Sequence, residues 1–295
     1  MTDTIFVTGA SGHLGRAVID NLIGAQRVPP ARIVAGTRNP DRLADLAARG
    51  VAVRRIDFDD PAGLEKAFAG AGTLLVISTD AIDGAGTRLR QQKAAIEAAA
   101  KAGVKRIAYT SLPAADVSKV SFAPDHYGSE QAVKATGLPY LIFRNSWYAE
   151  NLLGSLPRAV STGEWYSSAG KGRTAFVSRA DIAAAIAAAL ANPPSGSAVY
   201  TLSGAEAFSN DEIAALAAGI SGKPVKVVHL SDGQLAGGMK AGGVPEAIVP
   251  MLISFEAATR EGHLGDVTGD VEKLTGRKPQ SLKAFLEANR AAFAG

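Results

Sequence analysis

Residues 4–15 read Thr-Ile-Phe-Val-Thr-Gly-Ala-Ser-Gly-His-Leu-Gly, and this stretch decides the fold. The apolar run predicts a short strand, after which Gly9, Gly12 and Gly15 follow with the spacing Gly-x-x-Gly-x-x-Gly. The first glycine permits a tight turn, the second lets a pyrophosphate approach the backbone, and the third lets the next helix pack closely on the sheet. A phosphate group then faces the positive amino-terminal end of that helix. The stretch therefore predicts a dinucleotide-binding strand–turn–helix unit.

The first half of the chain alternates between two hydrophobic patterns. Segments of helical period, with apolar residues three and four apart such as Leu14, Val18 and Leu22, separate short apolar runs rich in β-branched residues. This alternation is typical of an α/β protein with a Rossmann-type, doubly wound parallel sheet. The predicted strands are Thr4–Thr8, Arg32–Thr37, Ala52–Ile56, Leu74–Ser78, Arg106–Thr110 and Tyr140–Phe143.

The pattern changes after residue 144. Asp181–Ala191 predicts a helix, and Val199–Leu202 and Val225–His229 predict short strands. Ser209 and Glu212 have the spacing of a capping box at the start of another helix, which Gly222 would end. We expect an NADP-binding Rossmann domain over 1–144. Residues 145–295 should form mainly a smaller α/β lobe packed on it, with the return of some elements to the first domain left open.

The composition of the 295 residues excludes several classes of function. The chain has no cysteine, which rules out disulfides, thiolate metal sites and a cysteine nucleophile. Its 31 basic and 28 acidic residues leave a net charge of +3, too small an excess to indicate nucleic acid or an anionic membrane as a partner. No export signal or spanning segment is evident, and the histidines lack metal-ligand spacing. We therefore expect a cytoplasmic protein without a metal site.

The residues after the predicted strands distinguish between the two nicotinamide dinucleotides. A site for NAD usually has an acidic residue at the end of the second strand, whereas this chain has Arg38, whose planar cation suits the 2′-phosphate of NADPH. Asp57 and Phe58 follow the third strand, where Asp57 either meets the adenine edge or caps the helix near Pro61. Ser78 and Thr79 end the fourth strand, at the carboxyl edge where open parallel sheets bind ligands.

The ordinary catalytic pair of short-chain dehydrogenases is missing. Those enzymes use a Tyr-x-x-x-Lys motif to deliver a proton during ketone reduction. None of the six tyrosines in this chain has a lysine four residues later. Ordinary carbonyl reduction is disfavoured, as are the sugar epimerases and dehydratases that depend on the same pair.

Six stretches of the sequence carry a resemblance to a known group of proteins. They are residues 7–15, 37–40, 107–112, 141–151, 169–172 and 221–224. On these residues the chain resembles the atypical short-chain dehydrogenases of the NmrA-like group. Within that group it is most similar to the type 2 NAD(P)H:quinone oxidoreductases, and it is also similar to the triphenylmethane reductases. The resemblance covers nearly the whole chain, and the Arg-Asn-x-Trp-Tyr-x-Glu-Asn stretch over 144–151 is its most specific part.

The resemblance implies a two-lobed fold, NADPH as cofactor, and reduction of a quinone or a dye-like aromatic acceptor. The cofactor contacts that it implies are Gly9, Ala10, Ser11, Gly12, His13, Leu14, Arg38, Ser78, Thr79, Asp80, Asn145, Ser146, Trp147, Tyr148, Ala149 and Glu150. To these the residue patterns add Gly15, Asp57 and Phe58.

The acceptor should meet an apolar, aromatic pocket with a few polar groups. Leu112, Pro113, Trp147, Tyr148 and Asn151 are candidates for it. Adjacent side chains of an extended segment point to opposite sides. We therefore expect Tyr148 to face the acceptor and Trp147 to pack into the protein, with the Asn151 amide binding a quinone oxygen.

His126 is the titratable residue that stands out as a candidate to donate a proton to the acceptor or to orient it. In isoflavone-reductase-like relatives a functional lysine lies near this position. The alternative is a solvated or helix-capping histidine.

Two further interpretations of the whole protein remain open at this stage. An NmrA-type redox sensor would bind the dinucleotide without chemistry, and a carbon–carbon double-bond reductase would carry a lysine where His126 stands. The sequence also leaves the oligomeric state open, with a homodimer among the alternatives.

Overall fold

The structure, a computed structural model, describes residues 4–83 and 85–294. Its β-strands are β1 Ile5–Val7, β2 Ile33–Thr37, β3 Ala52–Arg55, β4 Thr73–Val76, β5 Arg106–Ser111, β6 Tyr140–Asn145, β7 Glu164–Ser167, β8 Arg173–Thr174, β9 Ala198–Leu202, β10 Phe208–Ser209 and β11 Lys226–His229. Its α-helices are α1 His13–Ile23, α2 Ala44–Ala48, α3 Pro61–Phe68, α4 Thr87–Lys101, α5 Ala123–Ala135, α6 Leu152–Thr162, α7 Arg179–Ala191, α8 Asn210–Ser221, α9 Asp232–Ala241, α10 Val249–Arg260, α11 Asp270–Thr275 and α12 Leu282–Ala288.

The main sheet has seven strands in the order β3-β2-β1-β4-β5-β6-β9. The neighbouring pairs from β3 through to β6 are parallel, and Ile5 of β1 is in register with Ile33 on one side and with Thr73 on the other. The strand order reverses between β1 and β4. In a doubly wound sheet such a reversal opens a crevice at the carboxyl ends of the strands, and dinucleotides bind there. The predicted Rossmann-type fold is confirmed.

The strands form where they do because helices cover both faces of the sheet. Every residue of β1, β2 and β4 is buried, which explains their nearly continuous apolar sequence. Phe6 on β1 meets Phe68 on α3 edge to face, with 5.1 Å between the ring centroids. Leu74, Ile96 and Ile107 complete the same core, so the predicted strands match the observed ones to within two residues at each end.

Contacts between residues divide the protein into two compact units. The first comprises the described part of 1–112, together with 124–144 and 179–201. It includes α7, an alanine-rich helix that contacts α1, and β9, which lies beside β6 as the last strand of the main sheet.

The second unit comprises 113–123, 145–178 and the described part of 202–295. Its core contains Leu156, Ile213, Phe285 and Leu286, and it holds two small sheets, β7 with β11 and β8 with β10. The predicted capping box is confirmed at the start of α8. There the Ser209 hydroxyl accepts from the Glu212 backbone N–H, and the Glu212 carboxylate accepts from the Ser209 backbone N–H. Within the described residues, no helix combines the length and apolar character that crossing a membrane requires.

Candidate functional site

The glycine loop between β1 and α1 has the geometry that its spacing predicts. Gly9 has a φ of +61°, so the turn needs a residue without a β-carbon at this position. The Gly12 N–H donates to the Gly9 carbonyl oxygen over 2.9 Å, and Gly12 forms the N-cap of α1. A β-carbon at Gly15 would overlap the Gly9 carbonyl group, so this glycine allows the helix to pack against the loop.

The ends of the neighbouring strands hold this loop in place. The Ala10 N–H donates to the Gly36 carbonyl oxygen on β2 over 3.0 Å, and the Ser11 and Thr37 hydroxyl oxygens lie 3.0 Å apart. On the other side, the Ile77 N–H donates to the Thr8 hydroxyl oxygen over 2.9 Å. The loop is therefore ordered by the sheet before any ligand binds.

A cleft of about 740 Å³ opens beside the loop at the carboxyl ends of the first four strands. It is lined by Gly9, Ser11, Gly12, His13, Thr37, Arg38, Asn39, Arg42, Ile56, Asp57, Phe58, Ile77, Ser78, Thr79, Asp80, Ala81 and Gln91. These residues all belong to the first compact unit. Ten of the residues predicted to bind the cofactor are among them. Three others, Ala10, Leu14 and Gly15, are buried behind the loop.

Different strands supply the charged and the aromatic side chains of the cleft. Arg38 and Arg42 follow β2 and both line the cleft, so this part of the cleft carries two cationic side chains. Phe58 and Asp57 follow β3 and supply an aromatic face and a carboxylate edge suited to a base. The helix-capping alternative for Asp57 is wrong, because the Asp60 side chain caps α3 by accepting from the Gly63 N–H over 3.1 Å.

The residues present fit a dinucleotide phosphate. The first turn of α1, which lies entirely within the described residues, contains no acidic residue. A pyrophosphate at the amino terminus of this helix would therefore meet no negative side chain from that turn. After β4, the buried Thr79 hydroxyl oxygen has no hydrogen-bond partner among the described residues and lies against the cleft. A buried polar atom without a partner is costly, and a bound ligand with a suitable group would remove that cost.

Sequence reasoning missed several cleft residues, among them Asn39, Arg42 and Gln91. Arg42 had a signal that was available, because it lies only four residues after Arg38 and carries the same charge. Gln91 had none. It reaches the cleft from α4, and its amide donates to Asp59 over 2.9 Å. In the sequence a glutamine on an exposed helix face looks like any solvated side chain.

His126 lies away from solvent, within α5, and is only 3% exposed. The expectation of a solvated or helix-capping histidine is therefore wrong. Arg88 Nη2 lies 2.9 Å from His126 Nε2, and the Tyr109 hydroxyl lies 2.8 Å from Nδ1. Because a guanidinium can only donate, Nε2 accepts and Nδ1–H donates to Tyr109. The Tyr109 hydroxyl in turn donates to Gln92 Oε1 over 2.5 Å.

Burial and, secondarily, the nearby Arg88 hold the pKa of His126 well below its usual value. Burial likewise raises the pKa of the Tyr109 hydroxyl. Both groups are therefore neutral at physiological pH. The network positions α4, α5 and β5 against one another, and His126 lacks the exposure that proton donation to a ligand would need.

The segment after β6 belongs to the second compact unit from residue 145 onward. The Ala149 N–H donates to the Val177 carbonyl oxygen over 2.9 Å, and the Val177 N–H donates to the Trp147 carbonyl oxygen over 3.0 Å. The Trp147 ring packs on Phe255 of α10 with 4.5 Å between centroids. Tyr148 is half-buried, and Asn151 is exposed just before α6.

Comparison with known proteins agrees with this geometry. The profile of the NmrA-like family matches residues 1–287. The chain belongs to the NmrA-like family. Quinone oxidoreductase 2 of Escherichia coli is 38% identical over 278 residues, which cover 94% of this chain and 96% of that protein.

Two solved structures of NmrA-like relatives have the same fold over nearly their whole length. The E. coli NADPH-dependent quinone oxidoreductase, crystallised with NADPH, superposes with a TM-score of 0.92 at 37% identity, covering 98% of this chain and 100% of that one. Triphenylmethane reductase of Citrobacter sp. in complex with NADP(H) superposes with a TM-score of 0.90 at 32% identity, covering 97% and 99%.

Acidification should destabilise this NmrA-like protein through His126. The folded-state pKa lies below that of the unfolded chain, so below about pH 6.5 the unfolded state binds more protons. The free energy of unfolding should therefore fall with decreasing pH, with His126 contributing up to about 1.4 kcal/mol per pH unit. Denaturant unfolding at pH 7 and pH 5 measures this. The decrease in the free energy of unfolding from pH 7 to pH 5 should be smaller in His126→Gln than in the unmodified protein. His13→Gln, at an exposed position, is the control and should show the same decrease as the unmodified protein. An unchanged loss in His126→Gln would contradict the assignment.

Proposed function

We propose that the protein is an NADPH-dependent oxidoreductase that reduces quinones or dye-like aromatic acceptors. One observation carries the cofactor part of this proposal. The ordered glycine loop and a pair of arginines after β2 line the same cleft at the switch point of the sheet. The glycine loop suits a pyrophosphate, and the arginines suit the additional phosphate that distinguishes NADPH from NADH. The relatives named above, which reduce quinones and triphenylmethane dyes, support the acceptor class.

The missing Tyr-x-x-x-Lys motif is consistent with such acceptors. When bound, NADPH supplies a hydride. A quinone is a strong electrophile that becomes aromatic on reduction, so the protein's main task is to hold the acceptor in a reactive orientation. Protons can follow from water. With His126 buried in its own network, the chain needs no side chain as an obligatory proton donor for this reaction.

The acceptor-binding residues are proposed to lie in the segment that follows β6. Trp147 is packed against Phe255 and the core of the second unit, whereas Tyr148 is half-buried and Asn151 exposed. Tyr148 offers an aromatic face and a hydroxyl group, and Asn151 offers an amide donor for a carbonyl oxygen. Residues 145–150 are proposed to border the nicotinamide half of the cofactor.

Substitutions in this segment should separate acceptor binding from stability. Tyr148→Ala and Asn151→Ala should lower kcat/KM for quinone by roughly fivefold to tenfold, the size of one lost polar contact. Their affinity for NADPH should remain within about threefold. Trp147→Ala should instead lose about 2 kcal/mol of stability, because it removes a half-buried ring from the packed interior. Steady-state kinetics and thermal unfolding of the three variants test this. Unmodified rates and KM values in both Tyr148→Ala and Asn151→Ala would contradict the acceptor assignment.

The proposed activity is tested by following NADPH oxidation with and without a panel of quinones and triphenylmethane dyes. We expect oxidation that depends on the acceptor and little oxidation without it. A protein that binds NADPH tightly and reduces none of these acceptors at saturation would overturn the enzymatic proposal. That result would favour a dinucleotide sensor of the NmrA type.

A further inference from the structure

Gln91 lines the cleft, together with Asp57 and Phe58, and the cofactor contacts proposed above do not include it. It lies on α4, and its amide Nε2 donates to Asp59 Oδ2 over 2.9 Å. The Arg90 guanidinium binds the other oxygen of the same carboxylate, with Nη1 2.7 Å from Oδ1. The cleft therefore carries a primary amide whose nitrogen is tied to a carboxylate.

The contact with Asp59 fixes which way round the Gln91 amide lies. Hydrogen bonds from Arg90 and Gln91 hold the pKa of the Asp59 carboxyl below its usual value, so near neutral pH this group is ionised and can only accept. A half-turn of the amide would place Oε1 against the carboxylate and lose the hydrogen bond. The amide therefore keeps Nε2 toward Asp59. Its Oε1 has no hydrogen-bond partner among the described residues.

The position of this amide matches the adenine half of the dinucleotide. Adenine and the 2′-phosphate are attached to the same ribose, so a phosphate bound by Arg38 after β2 brings the base to the same end of the cleft. The charge of Arg38 contributes to the lowered pKa of Asp59, because the two side chains are neighbours. The Asp59 backbone N–H donates to Asp57 Oδ1 over 3.0 Å. Phe58, between the two aspartates, offers a face on which a base can stack.

A fixed amide can distinguish adenine from other purines. Glutamine recognises adenine through two hydrogen bonds, one accepted from the N6 amino group and one donated to a ring nitrogen. The Gln91 amide retains Oε1 and its second Nε2 hydrogen for these contacts. Hypoxanthine carries an oxygen in place of the N6 amino group, and this oxygen can only accept. A glutamine free to rotate would turn its NH2 group toward that oxygen, but Asp59 opposes the rotation.

We infer that Gln91 recognises the N6 amino edge of adenine, and that Asp59 is a positioning residue that keeps the Gln91 amide in the orientation that suits adenine. The Asp57 carboxylate remains available for the second hydrogen of the same amino group. The inference rests on the NADPH site of the proposed function and does not depend on the acceptor. It makes the cleft selective for an adenine dinucleotide over its hypoxanthine counterpart.

The test compares the binding of NADP⁺ and of nicotinamide hypoxanthine dinucleotide phosphate by calorimetry. The two ligands carry the same phosphates and the same nicotinamide, so a difference in affinity reports on the base. The unmodified protein should bind NADP⁺ roughly 10- to 100-fold more tightly, the discrimination expected of one bidentate amide contact.

Gln91→Leu keeps a side chain of similar size but removes both hydrogen-bonding groups. It should bind NADP⁺ roughly tenfold more weakly and bind the hypoxanthine analogue as well as the unmodified protein or better, so that most of the preference is lost. Gln131→Leu is the matched control, because Gln131 is an exposed glutamine on α5 of the same unit and does not line the cleft. It should bind both ligands normally.

Two further variants separate positioning from structural damage. In Asp59→Asn the neutral side chain can donate as well as accept, so Gln91 is free to turn its NH2 group toward hypoxanthine. This variant should bind the hypoxanthine analogue roughly threefold to tenfold more tightly than the unmodified protein does, a gain that damage to the fold would not produce. Arg90→Gln removes the other partner of Asp59 but retains the carboxylate, and it should keep the preference for adenine to within about threefold.

Equal affinity of the unmodified protein for the two ligands would overturn the inference. So would a Gln91→Leu protein that retains the full preference, or an Asp59→Asn protein that gains no affinity for the analogue. These three outcomes would leave the proposed function standing. A folded protein that binds neither ligand would overturn the NADPH site of the proposed function and this inference with it. Because no acceptor is present, a failure of quinone reduction would leave the result unaffected.

Discussion

Replacing Gly12 by valine is expected to abolish NADPH binding while the protein still folds. Gly12 has φ −84° and ψ 165°, an extended conformation that any residue adopts. A β-carbon there would lie 3.3 Å from the Gly9 carbonyl oxygen, a contact that a small shift of the loop relieves. The branched methyl groups of valine would then occupy the space in which a pyrophosphate must approach the backbone. We expect affinity to fall by roughly 1000-fold, which corresponds to about 4 kcal/mol.

Calorimetric titration with NADPH, together with thermal unfolding, measures both halves of this expectation. Gly196→Val is the matched control, since Gly196 is an exposed glycine of the same unit with open space around its β-carbon position. Gly12→Ala should give an intermediate loss because it adds only the β-carbon. A folded Gly12→Val protein with normal NADPH affinity would mean that the loop is a purely structural turn.

The sequence predicted the fold well where local pattern and tertiary environment agree. Strands β1, β2 and β4 are buried at every residue, so their apolar runs are unambiguous. The strand at Val199–Leu202 was also predicted, but its position in the main sheet was not. This strand pairs with β6 because α7 returns the chain to the main sheet. The five residues of the strand carry no sequence pattern that identifies the strand with which they pair.

The parts of the candidate site that could be predicted are those marked by a local sequence pattern, such as the glycine loop between β1 and α1. Gly9 and Gly12 follow directly from the strand–turn–helix pattern, and Arg38 follows from its place at the end of the second predicted strand. Gln91 and Glu130 did not, because a polar residue in a helical pattern is by default assigned to the solvated face. In the structure Glu130 is instead buried against Arg144, fourteen residues away in the chain. His126 was noticed for its chemistry, but its burial beside Arg88 changes what that chemistry can be.

Removing the arginines after β2 should cost the protein its preference for NADPH over NADH. Arg38 and Arg42 both line the cleft. The nearby carboxylate of Asp59 already pairs with Arg90 over 2.7 Å and accepts from the Gln91 amide over 2.9 Å. A charge-assisted contact to a phosphate contributes enough that Arg38→Ala should weaken NADPH binding roughly 10- to 100-fold. Affinity for NADH, which lacks the 2′-phosphate, should change less than about threefold.

The double variant shows whether the two cations act on one phosphate. If both contact the 2′-phosphate, Arg42→Ala alone should also lower NADPH affinity selectively, and the double variant should bind NADPH and NADH about equally. Arg49→Ala is the matched control, because Arg49 is exposed in the same unit but pairs with Asp20 over 2.6 Å and does not line the cleft. It should leave both affinities unchanged. Equal affinities of the unmodified protein for NADPH and NADH would contradict the assignment of the arginines. A loss in Arg38→Ala that is the same for both cofactors would do so as well, because the selectivity can arise here only from a group that NADH lacks.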